Sequence, residues 1–252
     1  MIKNEKNNIF GLLGKNIFYS FSKGYFNEKF EKLGLDNINY QNFDIQNCEQ
    51  FSSIISSEKN LKGLNVTIPY KEEIIPFLDE LDETAKEIGA VNTIKISQNG
   101  NLKGYNSDFV GFEKSIKPLL KTHHTVALIL GTGGASKAVA YFFKKNNIHF
   151  QFISRNPKSE NEISYESLSH EIIQKSTIIV NCTPIGTSPN IEKCPEIPYE
   201  FLNSSHLLYD LIYNPDETLF LSKGKKMGAT IKNGLEMLIF QAEESWRIWN
   251  DL

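Results

Sequence analysis

Cysteine is scarce in this 252-residue sequence: Cys48, Cys182 and Cys194 are the only three, and no two of them form a C-x-x-C pair. That count excludes a disulfide framework or a cysteine-built zinc site and leaves reduced, buried or incidental thiols, so no metal is expected. Long apolar runs are missing as well. The longest are of strand length, far short of the roughly 20 residues that a membrane helix needs. The opening Met1-Ile2-Lys3-Asn4-Glu5 has no apolar signal core, so a cytoplasmic location without a membrane partner is expected. Positive charge is not in excess: 27 Lys and Arg stand against 30 Asp and Glu, a formal net charge of −3, which speaks against a nucleic-acid partner. There is no internal repeat and no low-complexity tract. With 40% apolar and 23% charged residues, the composition is that of an ordinary globular protein, long enough for two domains or one large one. The first eight residues are polar and are expected to fray.

The rest of the chain is organised around residues 126–137, Val-Ala-Leu-Ile-Leu-Gly-Thr-Gly-Gly-Ala-Ser-Lys. The five apolar residues 126–130 read as a strand buried on both faces, as in a parallel sheet. Three glycines follow within four residues, and 138–145 reads as helix. A strand that breaks into a glycine-rich turn and opens a helix presents backbone N–H groups at a positive helix end, where a pyrophosphate can approach closely. Glycines at this spacing also make plain tight turns. The flanking strand and helix supply the context for dinucleotide binding, with Gly131, Thr132, Gly133, Gly134 and Ala135 as the loop.

In the first half, residues 10–14 form a short apolar strand ending in glycine. Ser20 and Ser22 precede a helical stretch of about a dozen residues with Tyr25, Phe26, Phe30 and Leu33 on one face. Either serine can serve as the helix N-cap, or both hydroxyls can be held at the mouth of a site for a polar ligand. Strand 38–45, helix 48–57 and strand 63–67 give a βαβ rhythm and a mixed α/β first domain. Next comes Asn65-Val-Thr-Ile-Pro-Tyr-Lys71. Pro69 keeps Ile68 extended and suits the first position of a helix, which places Lys71 in that helix's first turn. A cation there opposes the helix dipole, which Glu72 and Glu73 complement. Such a lysine is either simply solvated or has its pKa drawn down from about 10.4 toward a catalytic range.

In the second half, strand 148–153 ends at Ser154-Arg155-Asn156. An NAD-specific fold places an acidic residue near this strand end to hold the ribose hydroxyls. Here Arg155 is the first charged residue, with Lys158 beyond it, which suits the extra phosphate of NADP unless Arg155 is only a surface residue. A third buried strand, 177–180, runs into Asn181-Cys-Thr-Pro-Ile-Gly186. Pro184, Pro189, Pro195 and Pro198 mark a long irregular and mobile connection. Strand 207–212 contains Asp210-Leu-Ile-Tyr-Asn-Pro215. Asn233 opens a last helix whose Leu235, Leu238, Ile239, Ala242, Trp246 and Trp249 form the core stripe, with Gln241 off it.

Five segments in this order resemble the shikimate dehydrogenases. Asn65, Val66, Thr67, Pro69 and Lys71 match the family signature Asn-Val-Thr-x-Pro-x-Lys. Gly89-Ala-Val-Asn-Thr93, Gly104-Tyr-Asn-Ser-Asp108, Asn181-Cys-Thr-Pro-Ile-Gly186 and Asp210-Leu-Ile-Tyr-Asn-Pro215 match further segments, and Ser20 and Ser22 fit its Ser-x-Ser. The resemblance covers nearly the whole chain and implies NADPH-dependent reduction of 3-dehydroshikimate to shikimate in aromatic amino-acid biosynthesis. It makes Lys71 the general acid and base and Asp108 its partner. Ser20, Ser22, Thr67, Asn92, Asp108, Tyr213 and Gln241 would bind the substrate. Ser154, Arg155, Thr183, Leu211 and Gly234 would join the glycine loop around the cofactor, the last two at the nicotinamide. Without the resemblance, Asn92 reads equally as a turn residue, Asp108 as a helix cap and Gln241 as solvated helix surface.

The implied architecture is α/β with two domains. Residues 1–110 form a mixed-sheet substrate and catalytic domain, completed by a returning C-terminal helix, 235–252; residues 111–234 form a Rossmann-like NADP-binding domain. The connecting helix is expected over 108–120, with the substrate in the cleft between domains. Tyr19 stands where most members have His, Lys23 where they have Pro, and Ser107 where they have Thr; none of the three removes a catalytic group. Two other readings stay open: a quinate or quinate/shikimate dehydrogenase, and a non-catalytic NADP-binding sensor on the same scaffold. Monomer and homodimer are both compatible with the sequence.

Overall fold

A computed structural model describes residues 7–17 and 20–251. Tyr19 and the first six residues lie outside that range, while Asn8, expected to fray, begins a strand. The chain divides into two compact units, Met1–Ser107 with Ala242–Leu252, and Asp108–Gln241. It passes between them twice, once near the start of α4 (Ser107–Ile116) and once inside α8 (Leu235–Trp249). Among the described residues no helix is long and apolar enough to cross a membrane.

In the first unit, β1 (Asn8–Gly14), β2 (Ile38–Asp44) and β3 (Leu61–Val66) alternate with α1 (Phe21–Lys32) and α2 (Gln50–Ser57). After them come β4 (Glu80–Leu81), α3 (Glu83–Ile88), β5 (Thr93–Ile96) and β6 (Leu102–Tyr105). The sheet order is β2-β1-β3-β5-β6-β4. The first three strands are parallel and β5 runs antiparallel to both β3 and β6, so the sheet is mixed. The two helices α1 and α2 bury Phe26, Phe30 and Phe51, and α3 is closed by Asp82 at its N-cap and by Gly89 in the left-handed region, φ +70°. Leu33, expected on the buried face of α1, is instead its C-cap and is 54% exposed.

The helix expected after Pro69 does not form. Residues 68–74 make consecutive turns that end in one 3₁₀ turn, Ile75–Phe77. Pro76 explains this: it has no N–H to offer the Glu72 carbonyl, and only six residues separate it from Pro69. The turns close by shorter bonds such as Ile75 N–H to Glu72 C=O at 3.3 Å. Lys71 therefore faces no α-helix dipole, and that argument for its tuning falls away. Pro118 likewise ends α4 at Ile116, short of the expected 120.

In the second unit, β7 (Val126–Leu130), β8 (His149–Ile153), β9 (Glu162–Ile163), β10 (Ile178–Asn181), β11 (Leu207–Asp210) and β12 (Thr230–Lys232) are all parallel. Their order is β12-β11-β10-β7-β8-β9, a doubly wound sheet whose strand order reverses between β7 and β10. The crossovers are carried by α5 (Gly134–Lys145), α6 (His170–Lys175) and α7 (Leu219–Lys226). The three central strands β7, β10 and β11 are buried throughout or nearly so, as a sheet covered on both faces requires. The proline-rich connection after β10 is anchored by Ile197 and Leu202, both buried in the core.

Helix α8 differs most from expectation. Its buried stripe is Met237, Gln241, Ala242, Ser245, Ile248 and Trp249, whereas Leu235, Leu238, Ile239 and Trp246 are only partly buried. The apolar periodicity had selected positions about one residue off the true stripe, because the stripe itself contains a glutamine and a serine. Trp249 packs on Phe10 and Phe26 and donates from Nε1 to the Ile94 carbonyl at 3.0 Å. Gly63 makes room for it, since a Cβ there would overlap the indole. We expect Gly63→Ala to lower stability by about 1–3 kcal/mol, the range for overpacking a buried contact; an unchanged Tm in thermal unfolding would contradict this packing.

Candidate functional site

Three of the motifs meet in the first unit. The backbone of the Asn65–Lys71 segment is stitched to the Asn92 segment by Val66 N–H to Asn92 C=O at 2.9 Å and Val91 N–H to Lys71 C=O at 2.7 Å. Thr67 N–H donates to Leu13 C=O at 2.9 Å, fixing the end of β3 beside the end of β1. Lys71, Thr67 and Asn92 are thereby brought together, with Lys71 and Thr67 half-buried and Asn92 2% exposed.

Behind them lies a buried polar cluster. Asn92 Oδ1 accepts from Ser107 N–H at 2.6 Å, and its Nδ2 donates to Ser107 Oγ at 3.0 Å. The hydroxyls of Thr93, Ser107 and Ser245 form a triangle with edges of 2.8, 3.0 and 3.1 Å. Asn65 Nδ2 donates to Ser245 Oγ at 2.8 Å, and its Oδ1 accepts from the Tyr40 hydroxyl at 2.8 Å. Burial holds the Tyr40 phenol well above the usual tyrosine range, with the Ser22 hydroxyl beside it opposing the shift. Asn92 is thus no surface turn residue. Ser20 caps α1, accepting from Lys23 N–H at 3.3 Å, and Ser22 is buried in that helix's first turn. Asp108, immediately after Ser107, lies inside the first turn of α4 rather than capping it. Gln241 is 8% exposed, which removes its reading as solvated surface.

In the second unit the glycine loop leaves β7 at the point where strand order reverses. Gly131 has φ +98°, a left-handed conformation that favours glycine, and a Cβ there would crowd Thr183 Cγ2 at 3.0 Å. No side chain caps α5, whose N-cap is Gly133. Thr183 is set by Asn181, whose Oδ1 accepts from its N–H at 3.0 Å and its hydroxyl at 2.7 Å. Gly234 lies so close to the Leu211 carbonyl that no Cβ fits, and its N–H donates to Ile212 C=O at 3.0 Å. The two residues assigned to the nicotinamide end are therefore in contact. Arg155 is exposed past the end of β8, and Ser154 Oγ accepts from Asn156 N–H at 3.2 Å. Tyr213 is half-buried three residues past β11.

These features suit NADP: a positive-φ glycine at the switch point, an uncapped helix start, and a guanidinium where an acidic residue would select NAD. Residues 12–94 match the family described as shikimate dehydrogenase substrate binding domain. The shikimate dehydrogenase (NADP(+)) of Methanococcus vannielii is 38% identical over 262 residues, covering 96% of this chain and 90% of that protein. The chain belongs to the shikimate dehydrogenase family.

A crystal structure of a shikimate dehydrogenase in complex with NADP+ superposes with a TM-score of 0.86 at 34% identity, covering 99% of this chain and 92% of that one. The Thermus thermophilus shikimate 5-dehydrogenase in complex with NADP(H) and shikimate gives 0.85 at 28% identity, covering 97% and 94%. Within this family frame, sequence reasoning missed the members of the buried cluster. Asn65, Thr93 and Ser107 sat unassigned inside quoted motifs, while Tyr40 and Ser245 carried no local signal at all.

Asp210 was passed over in the same way. It is fully buried, accepts from Asn181 Nδ2 at 3.0 Å, Ile212 N–H at 3.1 Å and the Thr218 hydroxyl at 2.6 Å, and so ties the loops after β10 and β11 together. Burial raises its carboxyl from 3.8 to about 6, against these three donors. A carboxyl raised in the folded state favours folding fully below its unfolded value, and that contribution is lost as pH rises through about 6. Asp210→Asn should therefore gain stability relative to wild type between pH 5 and pH 8, read as the difference in Tm; a difference that is flat with pH would contradict the assignment.

Proposed function

We infer that this chain is an NADP-dependent shikimate dehydrogenase, interconverting 3-dehydroshikimate and shikimate. The observation that carries the reading is the joining of the lysine and asparagine segments by two backbone hydrogen bonds, Val66 to Asn92 and Val91 to Lys71. It supports the reading by joining the segments that carry a cation, a hydroxyl and a carboxamide, and a relative of 38% identity over 96% of the chain carries that activity in its name. We assign the first unit to the substrate and the second to NADP, in the cytoplasm, with the small acid as partner.

In this reading Ser20, Ser22, Thr67 and Asn92 bind the carboxylate and hydroxyls of the substrate, and Asp108, Tyr213 and Gln241 also contact it. Gly131, Thr132, Gly133, Gly134 and Ala135 would receive the pyrophosphate, Arg155 the 2′-phosphate, and Leu211 and Gly234 the nicotinamide, with Ser154 and Thr183 also against the cofactor. NADPH, when bound, supplies the hydride that reduces the ketone carbon. The Lys71 ammonium stabilises the negative charge that grows on the former carbonyl oxygen and gives it the proton, so C=O becomes CH–OH. Neutral Lys71 is then reprotonated from solvent, and the reverse reaction runs the same transfer backward. Asp108 orients Lys71 and accepts a hydrogen bond from a substrate hydroxyl.

Lys71→Ala should lower kcat by at least about 10²–10⁴, the usual worth of a positioned general acid, while NADPH binding by fluorescence stays unchanged. Turnover within tenfold of wild type would remove Lys71 from the chemical step. Arg155→Ala should raise KM for NADPH by about tenfold or more and leave KM for NADH almost unaltered, as the loss of a charge-assisted phosphate contact requires. Equal effects on the two cofactors would contradict the 2′-phosphate assignment.

A further inference from the structure

Ser245 stands out on α8. It is fully buried, four residues beyond Gln241 on the same helix face, among Ala242, Ile248 and Trp249, where an apolar side chain would pack without needing a partner. Its hydroxyl instead touches three polar groups from three separate motifs: Asn65 Nδ2 at 2.8 Å, Thr93 Oγ1 at 2.8 Å and Ser107 Oγ at 3.1 Å.

The directions of these bonds can be worked out from groups that have only one role. The Asn92 carbonyl can only accept, and Asn65 Nδ2 lies 3.3 Å from it, so the Asn65 amide faces that way and its Oδ1 takes the Tyr40 hydroxyl proton. Ser245 Oγ therefore receives an Asn65 proton and lies within hydrogen-bonding distance of the Thr93 and Ser107 hydroxyls. On the far side, the Ser107 backbone N–H can only donate, which fixes Asn92 Oδ1 against it at 2.6 Å and leaves Nδ2 to donate to Ser107 Oγ at 3.0 Å. Ser107 Oγ is thus the acceptor that holds one edge of the Asn92 carboxamide, and Ser245 is one of the groups that holds Ser107 Oγ.

We propose that Ser245 is a positioning residue for substrate recognition, setting the orientation of the Asn92 carboxamide through Ser107 and tying it to Asn65. The inference rests on the reading of Asn92 as a substrate-binding residue. Without the Ser245 hydroxyl, Ser107 Oγ and Asn65 Nδ2 lose a shared partner and re-pair, which shifts the Ser107 Oγ that receives Asn92 Nδ2 at 3.0 Å. The substrate then meets a carboxamide still held at Oδ1 by Ser107 N–H but displaced at its Nδ2 edge.

The test is steady-state kinetics on the full chain with Ser245→Ala, Ser245→Cys, Asn92→Ala and the double variant Ser245→Ala/Asn92→Ala. The cysteine variant keeps the side chain's shape, with a somewhat larger atom, but is a poor hydrogen-bonding partner. It separates packing from hydrogen bonding and carries the same test should the alanine variant fold poorly. We expect both Ser245 variants to raise KM for shikimate about tenfold, the scale of one neutral hydrogen bond, with kcat and KM for NADP+ within twofold of wild type. In the Asn92→Ala background, Ser245→Ala should add nothing further to KM. If Asn92→Ala raises KM and the Ser245 variants do not, or if the two effects simply add, Ser245 does not act through Asn92 and the proposal is overturned. If neither Asn92→Ala nor Ser245→Ala alters KM, the assignment of Asn92 to the substrate falls, and the proposal with it.

Discussion

A polar side chain removed from water must find its partners inside the fold, and the first unit is arranged around that requirement. Asn65, Asn92, Thr93, Ser107 and Ser245 are all at most 4% exposed, and each has hydrogen bonds to others of the set. They come from β3, from the start of β5 and the residue just before it, from the start of α4 and from α8. The cluster therefore holds in one register the segments that carry Lys71, Asn92 and Asp108. Among the described residues, Asn42 Oδ1 is the one buried side-chain polar atom without a partner, and it lies on β2, outside this set. A chain of satisfied groups of this kind specifies a single arrangement more sharply than an apolar core, because any alternative leaves a donor or acceptor unmet.

The second unit relies on a different constraint, the absence of side chains at points of close backbone approach. Gly131 turns the chain through a region that L-residues avoid, and Gly234 lets its strand-to-helix turn press on Leu211. Asp210 performs the polar part of the work there, collecting Asn181, Ile212 and Thr218. The two units thus reach ordered loops by different routes, one through hydroxyl and amide pairing and the other through glycine packing.

Much of this was legible in the sequence. The buried run 126–130, the glycine turn and the β-branched strands of the second unit announce a doubly wound sheet, because a parallel strand covered on both faces must be apolar throughout. The motifs around Lys71, Asn92 and Thr183 were legible as segments. Local reading failed where a distant contact decides the outcome. Pro76 prevents the helix whose first position Pro69 suits. The stripe of α8 is set by Gln241 and Ser245, which polarity alone would place in solvent. Tyr40 and Ser245 become meaningful only through Asn65, 25 and 180 residues away in sequence.

The central claim is that the chain transfers a hydride between NADPH and 3-dehydroshikimate. The most direct measurement is the loss of NADPH absorbance on the purified chain, with NADPH or NADH offered against 3-dehydroshikimate or 3-dehydroquinate. The account predicts the highest kcat/KM for NADPH with 3-dehydroshikimate. Turnover confined to NADH or to 3-dehydroquinate would move the chain to a quinate-type activity, and tight NADPH binding without turnover on either acid would contradict catalysis itself.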